Sequence, residues 1–141
     1  MTQLPERLQE IIDDFAALEG QEKLEYLMEL SEQLPPLPEW LAARRDEMDM
    51  VHECMTTVFV HATRDDDGRL TFYLDVPPES PTVRGYASIL QQGLEGVTLP
   101  ELLAVPTEFY LGLGLQQVLS GQRLTGIGAI LAHIKRVGAG A

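Results

Sequence analysis

Cysteine is almost missing from this chain of 141 residues; Cys54 is the only one. One thiol excludes an intramolecular disulfide and any metal site built from several cysteines. Basic residues are also scarce, 10 against 22 acidic ones, for a net charge of −12. Such a balance excludes the broad basic face that a phosphate backbone requires, and with it nucleic acid as a partner. No apolar run approaches the roughly 20 residues of a membrane span. The first residues, Met-Thr-Gln-Leu-Pro-Glu, lack a basic stretch leading into an apolar one, so no secretory leader is expected and the expected location is the cytoplasm. There is no glycine-rich phosphate loop, no paired-histidine metal helix and no nucleophile elbow.

What remains is the composition of an ordinary globular domain, with 45% hydrophobic and 23% charged residues. The length fits a single domain over 1–141 that can bury a core without staples. Charge is uneven: residues 1–53 hold 14 acidic and 4 basic residues, and no acidic residue follows Glu108. Helix surfaces account for such a distribution, and a surface that steers a partner protein is the sharper alternative.

Leu4, Leu8, Ile11, Ile12, Phe15 and Leu18 recur at helical spacing, with Pro5 at the start and Gly20 at the end. A second helix is expected from Gln21 to Gln33, stopped by Pro35-Pro36, and a short one after Pro38 carries Trp40 and Leu41. Met48 to Val51 gives a weak strand signal. Thr56–Thr63 is rich in β-branched residues, and Leu70, Phe72, Leu74 and Val76 alternate with polar neighbours. Asp65-Asp66-Asp67-Gly68 between them reads as a hairpin turn; it lacks the further ligands of a calcium loop. Helix returns at Pro81. Thr98 with Glu101 forms a capping-box pattern, and Pro106 opens a short helix with Phe109 and Leu113. The last helix carries Leu124, Ile127, Ile130, Leu131, Ile134 and Val137, with Ser120 as its cap and Lys135 and Arg136 suited to its C-terminal end. Helices, then strands, then helices imply an α+β fold with a small antiparallel sheet of about three strands.

Of the three histidines, His61 and His133 read as surface or internally satisfied residues, since lone histidines rarely bind metal. His52 stands two residues before Cys54. In an extended stretch the two side chains share a face, and an imidazolium there lowers a thiol pKa while Glu53 opposes it. From the residues alone, a buried structural cysteine is the favoured reading of Cys54.

The stretch Val51-His52-Glu53-Cys54-Met55-Thr56-Thr57-Val58-Phe59 resembles the SufE family, whose sulfur-accepting cysteine lies in a pattern like Val-x-Gly-Cys-x-Ser-x-Val-Trp. Thr56 stands for Ser and Phe59 for Trp. Leu119-Ser120-Gly121-Gln122-Arg123-Leu124-Thr125-Gly126-Ile127 is similar to the family's Leu-(Ser/Thr)-Pro-x-Arg-x-x-Gly-Leu, and Val83-Arg84-Gly85 to its Val-Lys-Gly. The three motifs come in the right order, and with the N-terminal helices, Leu34-Pro35 and the order of elements the resemblance covers nearly the whole chain. Two departures matter: Glu53 replaces Gly, and Met55 replaces a residue that is commonly polar; Gly121 in place of Pro is a milder one.

The resemblance implies a SufE/IscU-like fold and a role in iron–sulfur cluster assembly. Cys54 would accept persulfide sulfur from a cysteine desulfurase of the SufS type, stimulate it, and relay the sulfur to a scaffold protein. His52, Glu53, Met55, Thr56 and Arg123 would support it. Arg123 would either hold carbonyls of the Cys54 loop or face the desulfurase. No cofactor is expected, because pyridoxal phosphate belongs to the partner, and the chain would act as a sulfur-transfer partner rather than a stand-alone enzyme. A cluster scaffold of the IscU type is disfavoured by the single cysteine. The alternative is a SufE-like module that regulates a desulfurase without carrying sulfur. A monomer and a homodimer both fit.

Overall fold

The computed structural model describes residues 4–53 and 56–141. Cys54 and Met55 therefore lie outside the described residues. Six α-helices and three strands follow in the order α1 (Glu6–Ala16), α2 (Gln21–Ser31), α3 (Glu39–Ala42), β1 (Asp49–Val51), β2 (Val58–Arg64), β3 (Leu70–Asp75), α4 (Pro81–Gly93), α5 (Leu99–Leu103) and α6 (Gly121–Gly140). Two short 3-10 segments, Phe109–Leu113 and Leu115–Gln117, lead into α6.

The strands form one antiparallel sheet in the order β1-β2-β3. Alternation sets its faces. Val58, Val60, Ala62, Leu70, Phe72 and Leu74 are buried, while the residues between them on β2 and β3 are partly exposed or, at Arg64, exposed. The buried face packs against α4 and α6, and α1 and α2 lie against α4. On the other face Trp40 meets Tyr73 edge-on with ring centroids 5.6 Å apart and His61 at 6.1 Å. The β2–β3 turn is made by Asp65, whose carboxylate accepts from the amides of Asp67 and Arg69 at 2.9 Å, and by Gly68 at φ +80°. The Asp run is thus a turn, as its composition implies.

The α+β architecture and the strand that precedes Cys54 agree with the expectation. The capping box at Thr98 and Glu101 is complete, and the Ser120 hydroxyl accepts from the Arg123 amide at 3.2 Å. Several boundaries differ. Helix α1 stops at Ala16, and Gly20, at φ +45°, is the N-cap of α2 rather than the close of α1. Strand β2 begins at Val58 rather than Thr56, because its pairing with β1 starts at Val51–Val58. The helix expected at Pro106 is 3-10 and begins at Phe109. Lys135 and Arg136 do not serve mainly as end charges. Lys135 donates to the Val105 carbonyl and Arg136 pairs with Asp49.

Candidate functional site

The Val51–Val58 pair closes β1 onto β2, so residues 52–57 are the connection between them, and Cys54 belongs to that connection. Strand β1 is only three residues long, and the chain turns immediately after the buried Val51. His52 and Glu53 lie in that turn. The extended conformation that would align His52 with Cys54 is therefore not present at these two residues.

Helix α6 crosses beside this turn and supplies His133. His133 is buried, and its ring meets a carboxylate on each side. Nε2 lies 3.0 and 3.3 Å from the two Glu53 oxygens, and Nδ1 lies 2.5 Å from Asp49 Oδ2. One turn further on, Arg136 Nη2 donates to both Asp49 oxygens at 2.9 and 2.8 Å. The same Arg136 nitrogen comes within 2.8 Å of Nδ1, so guanidinium, imidazole and the Asp49 carboxylate meet at one point. The His52 ring is 6.5 Å from that of His133.

These contacts act on the carboxylates. Burial pushes Asp49 up, but hydrogen bonds from His133 and Arg136 outweigh it and hold the carboxyl below its ordinary value. The hydrogen bond from His133 comes first in holding Glu53 below its ordinary value, aided by its own backbone amide. The cluster thus sets two carboxylates against an imidazole and a guanidinium.

On the far side of Cys54 and Met55, the Thr56 hydroxyl is 2.7 Å from that of Ser80, the residue before α4. The next turn of α4 carries the second motif. Val83 is buried, Arg84 Nη1 donates to the Val76 carbonyl at 2.6 Å, and Gly85 lies against α2. The described residues that bracket 54–55 are therefore tied to two different helices.

The site residues named from sequence separate into two groups. His52, Glu53 and Thr56 flank the Cys54 connection; Met55 lies outside the described residues. Arg123 is ten positions before His133 on α6, about 15 Å along the axis. Among the described residues its guanidinium has no hydrogen-bond partner, and only its backbone amide, capped by Ser120, is engaged. Sequence reading missed Asp49 and Arg136, and it took His133 only as a surface or satisfied residue. The ring is indeed satisfied, but by the residue next to Cys54. No short-range pattern joins positions separated by 80 and 84 residues.

Among the described residues, no group of three or more His, Cys, Asp or Glu side chains is placed to hold a metal ion. No helix there is long and apolar enough to cross a membrane. A histidine enclosed by two carboxylates, with no described nucleophile beside it, is suited to holding a chain segment in place.

Comparison with known proteins identifies the lineage. The model of the family described as SufE, Fe-S metabolism associated domain, matches residues 9–137. An uncharacterized SufE-like protein of Mycobacterium tuberculosis is 44% identical over 133 residues, covering 94% of this chain and 92% of that one. A SufE-like protein 1 of Arabidopsis thaliana, designated chloroplastic/mitochondrial, is 34% identical over 126 residues, 89% of this chain but 33% of that longer protein. The solution structure of a hypothetical protein from Thermus thermophilus superposes with a TM-score of 0.84 at 34% identity, covering 99% of this chain and 98% of that one. The family motifs, the order of elements and these likenesses over nearly the full length place this chain in the SufE family, with a role in iron–sulfur metabolism.

Proposed function

We propose that this chain is a cytoplasmic sulfur carrier in which Cys54 accepts sulfur from a cysteine desulfurase and relays it to an iron–sulfur scaffold. The observation that supports this reading most is positional. The chain's only cysteine stands in a SufE-family motif, within the connection that leaves β1 between two anchored neighbours, Glu53 and Thr56. Connections at the edge of a rigid sheet are where proteins commonly present reactive groups to partners.

The transfer step balances without an oxidant or a reductant. The Cys54 thiolate attacks the outer sulfur of a persulfide on the desulfurase cysteine. A new sulfur–sulfur bond forms on Cys54 and the old one breaks. The outer sulfur keeps its hydrogen, and the desulfurase cysteine leaves as a thiolate. This is thiol–disulfide exchange in its charge requirements, needing an ionised attacker with in-line access. Pyridoxal phosphate, which generates the donor persulfide, belongs to the desulfurase, and this chain needs no cofactor of its own.

The test is mass spectrometry after mixing the chain with a SufS-type desulfurase and free cysteine. The expected result is a gain of one sulfur mass on Cys54, absent in Cys54→Ser. Binding and stimulation of the desulfurase without that gain would establish the regulatory alternative instead.

A further inference from the structure

We propose that His133 is the positioning residue of the sulfur-accepting segment: through the Glu53 carboxylate it ties down the residue that precedes Cys54 in sequence and takes up the charge of that carboxylate.

The cluster has two unequal sides. Asp49, His133 and Arg136 form the inner side. The Asp49 side chain is 26% exposed and that of His133 is 6% exposed, so their contact is largely shielded from solvent. That side suffices to hold the ring. The outer side is the Glu53 carboxylate, which is 52% exposed and has water available to it. An ion pair so exposed contributes little to global stability. Its effect is local. It fixes where residue 53 sits, and residue 53 is bonded to Cys54.

Charge points the same way. A carboxylate adjacent to a thiol favours the protonated thiol. Held in hydrogen bonds to the His133 ring, that carboxylate exerts a smaller net field. The charged or titratable groups around the ring are Asp49 from β1, Glu53 and His52 from the turn, and Arg136 from α6 itself. Lys135 is occupied with the Val105 carbonyl. Glu53 stands where the family pattern has Gly. The clamp thus lets an acidic residue occupy that position without leaving its charge uncompensated.

The relevance to sulfur transfer rests on the carrier reading, but the clamp is measurable without it. The experiment is the rate of iodoacetamide alkylation of Cys54 in the isolated full chain across pH. Cys54 is the only thiol, so the signal is unambiguous. Glu53→Gln removes the anion and should speed alkylation at neutral pH by about threefold to tenfold, since a shift of about one pKa unit is tenfold in thiolate. His133→Asn releases the anion uncompensated and should slow alkylation by a similar factor. In the Glu53→Gln background the His133 substitution should add little, because its effect runs through Glu53.

Single variants that match wild type, or that both shift the rate in one direction, overturn the proposal. So does a His133 effect that is undiminished in the Glu53→Gln background. If His133→Asn fails to fold by circular dichroism, the exposed Glu53→Gln decides alone, and an unchanged rate overturns the clamp. A clamp signature without sulfur gain from the desulfurase refutes the carrier reading and leaves the clamp standing; sulfur gain without the signature does the reverse.

Discussion

A Cβ added to Gly85 would stand 2.3 Å from the carbonyl oxygen of Leu27, so α4 is pressed directly onto the backbone of α2. The glycine of the Val83-Arg84-Gly85 motif is there because no side chain fits between the two helices. The obstructing atom is main chain, so it cannot swing aside as the end of a flexible side chain can. Gly85→Ala should therefore lower stability by at least about 2 kcal/mol, the upper part of the range for overpacking. Urea denaturation followed by circular dichroism checks this; a midpoint equal to wild type would mean that the helices part without cost.

Tyr86, the next residue, should behave in the opposite sense. It is fully buried and stacks on Phe109 at 5.7 Å between centroids, yet among the described residues its hydroxyl has no hydrogen-bond partner. Burial pushes its phenol well above the ordinary value, so it stays neutral. Tyr86→Phe removes an unsatisfied group and keeps the stacking. Stability should stay level or rise by about 1 kcal/mol. A loss of that size in thermal unfolding would show that the hydroxyl has a partner after all.

Asp49→Asn should weaken the inner side of the His133 cluster by about 2 kcal/mol, since hydrogen bonds between charged groups are lost. The sign of its pH dependence is fixed by the depressed carboxyl. A folded-state pKa below the ordinary 3.8 contributes stability that is fully present above that value and disappears as pH falls through the lower folded one. The gap between wild type and Asp49→Asn should thus close as the solution is made more acidic than about pH 4. Denaturation midpoints measured down through the acid range test this; a gap that widens with acid contradicts the assignment.

Arg123→Ala should leave stability within about 0.5 kcal/mol of wild type, as for other surface substitutions, and weaken sulfur transfer. Two outcomes separate its roles. Altered Cys54 alkylation in the isolated chain indicates that the guanidinium acts on the Cys54 segment. Unchanged alkylation with weaker desulfurase affinity places it at the partner. Wild-type transfer would return it to a solvated helix residue.

Much of the fold was legible because its signals are local. Pro35-Pro36 ends a helix by removing donors, Thr98 with Glu101 writes a cap in four residues, and alternation from Leu70 to Leu74 states which face is buried. The boundary at Gly20 was misread because a glycine between two helices serves either end equally well in sequence. The cysteine was legible only through its resemblance to a family; the residue type alone favoured a buried structural thiol. The partners of His133 were not legible at all. Asp49 and Glu53 meet it only because the β1–β2 pairing and the packing of α6 bring distant segments together, and neither leaves a trace in the spacing of nearby residues.

The clamp at Glu53 closes a loop of 80 residues. In order of synthesis, Cys54 is made long before the histidine that pairs with its neighbour. Until α6 has formed and docked, Glu53 has no imidazole to hold it. Contacts between such distant positions carry a high loop-closure cost and tend to form late. The same logic applies in reverse when the mature chain opens locally: any excursion that lifts α6 off β1 releases Glu53 first. Under the clamp proposal, the reactivity of one sulfur atom would be a running report on whether the far end of the chain is in place.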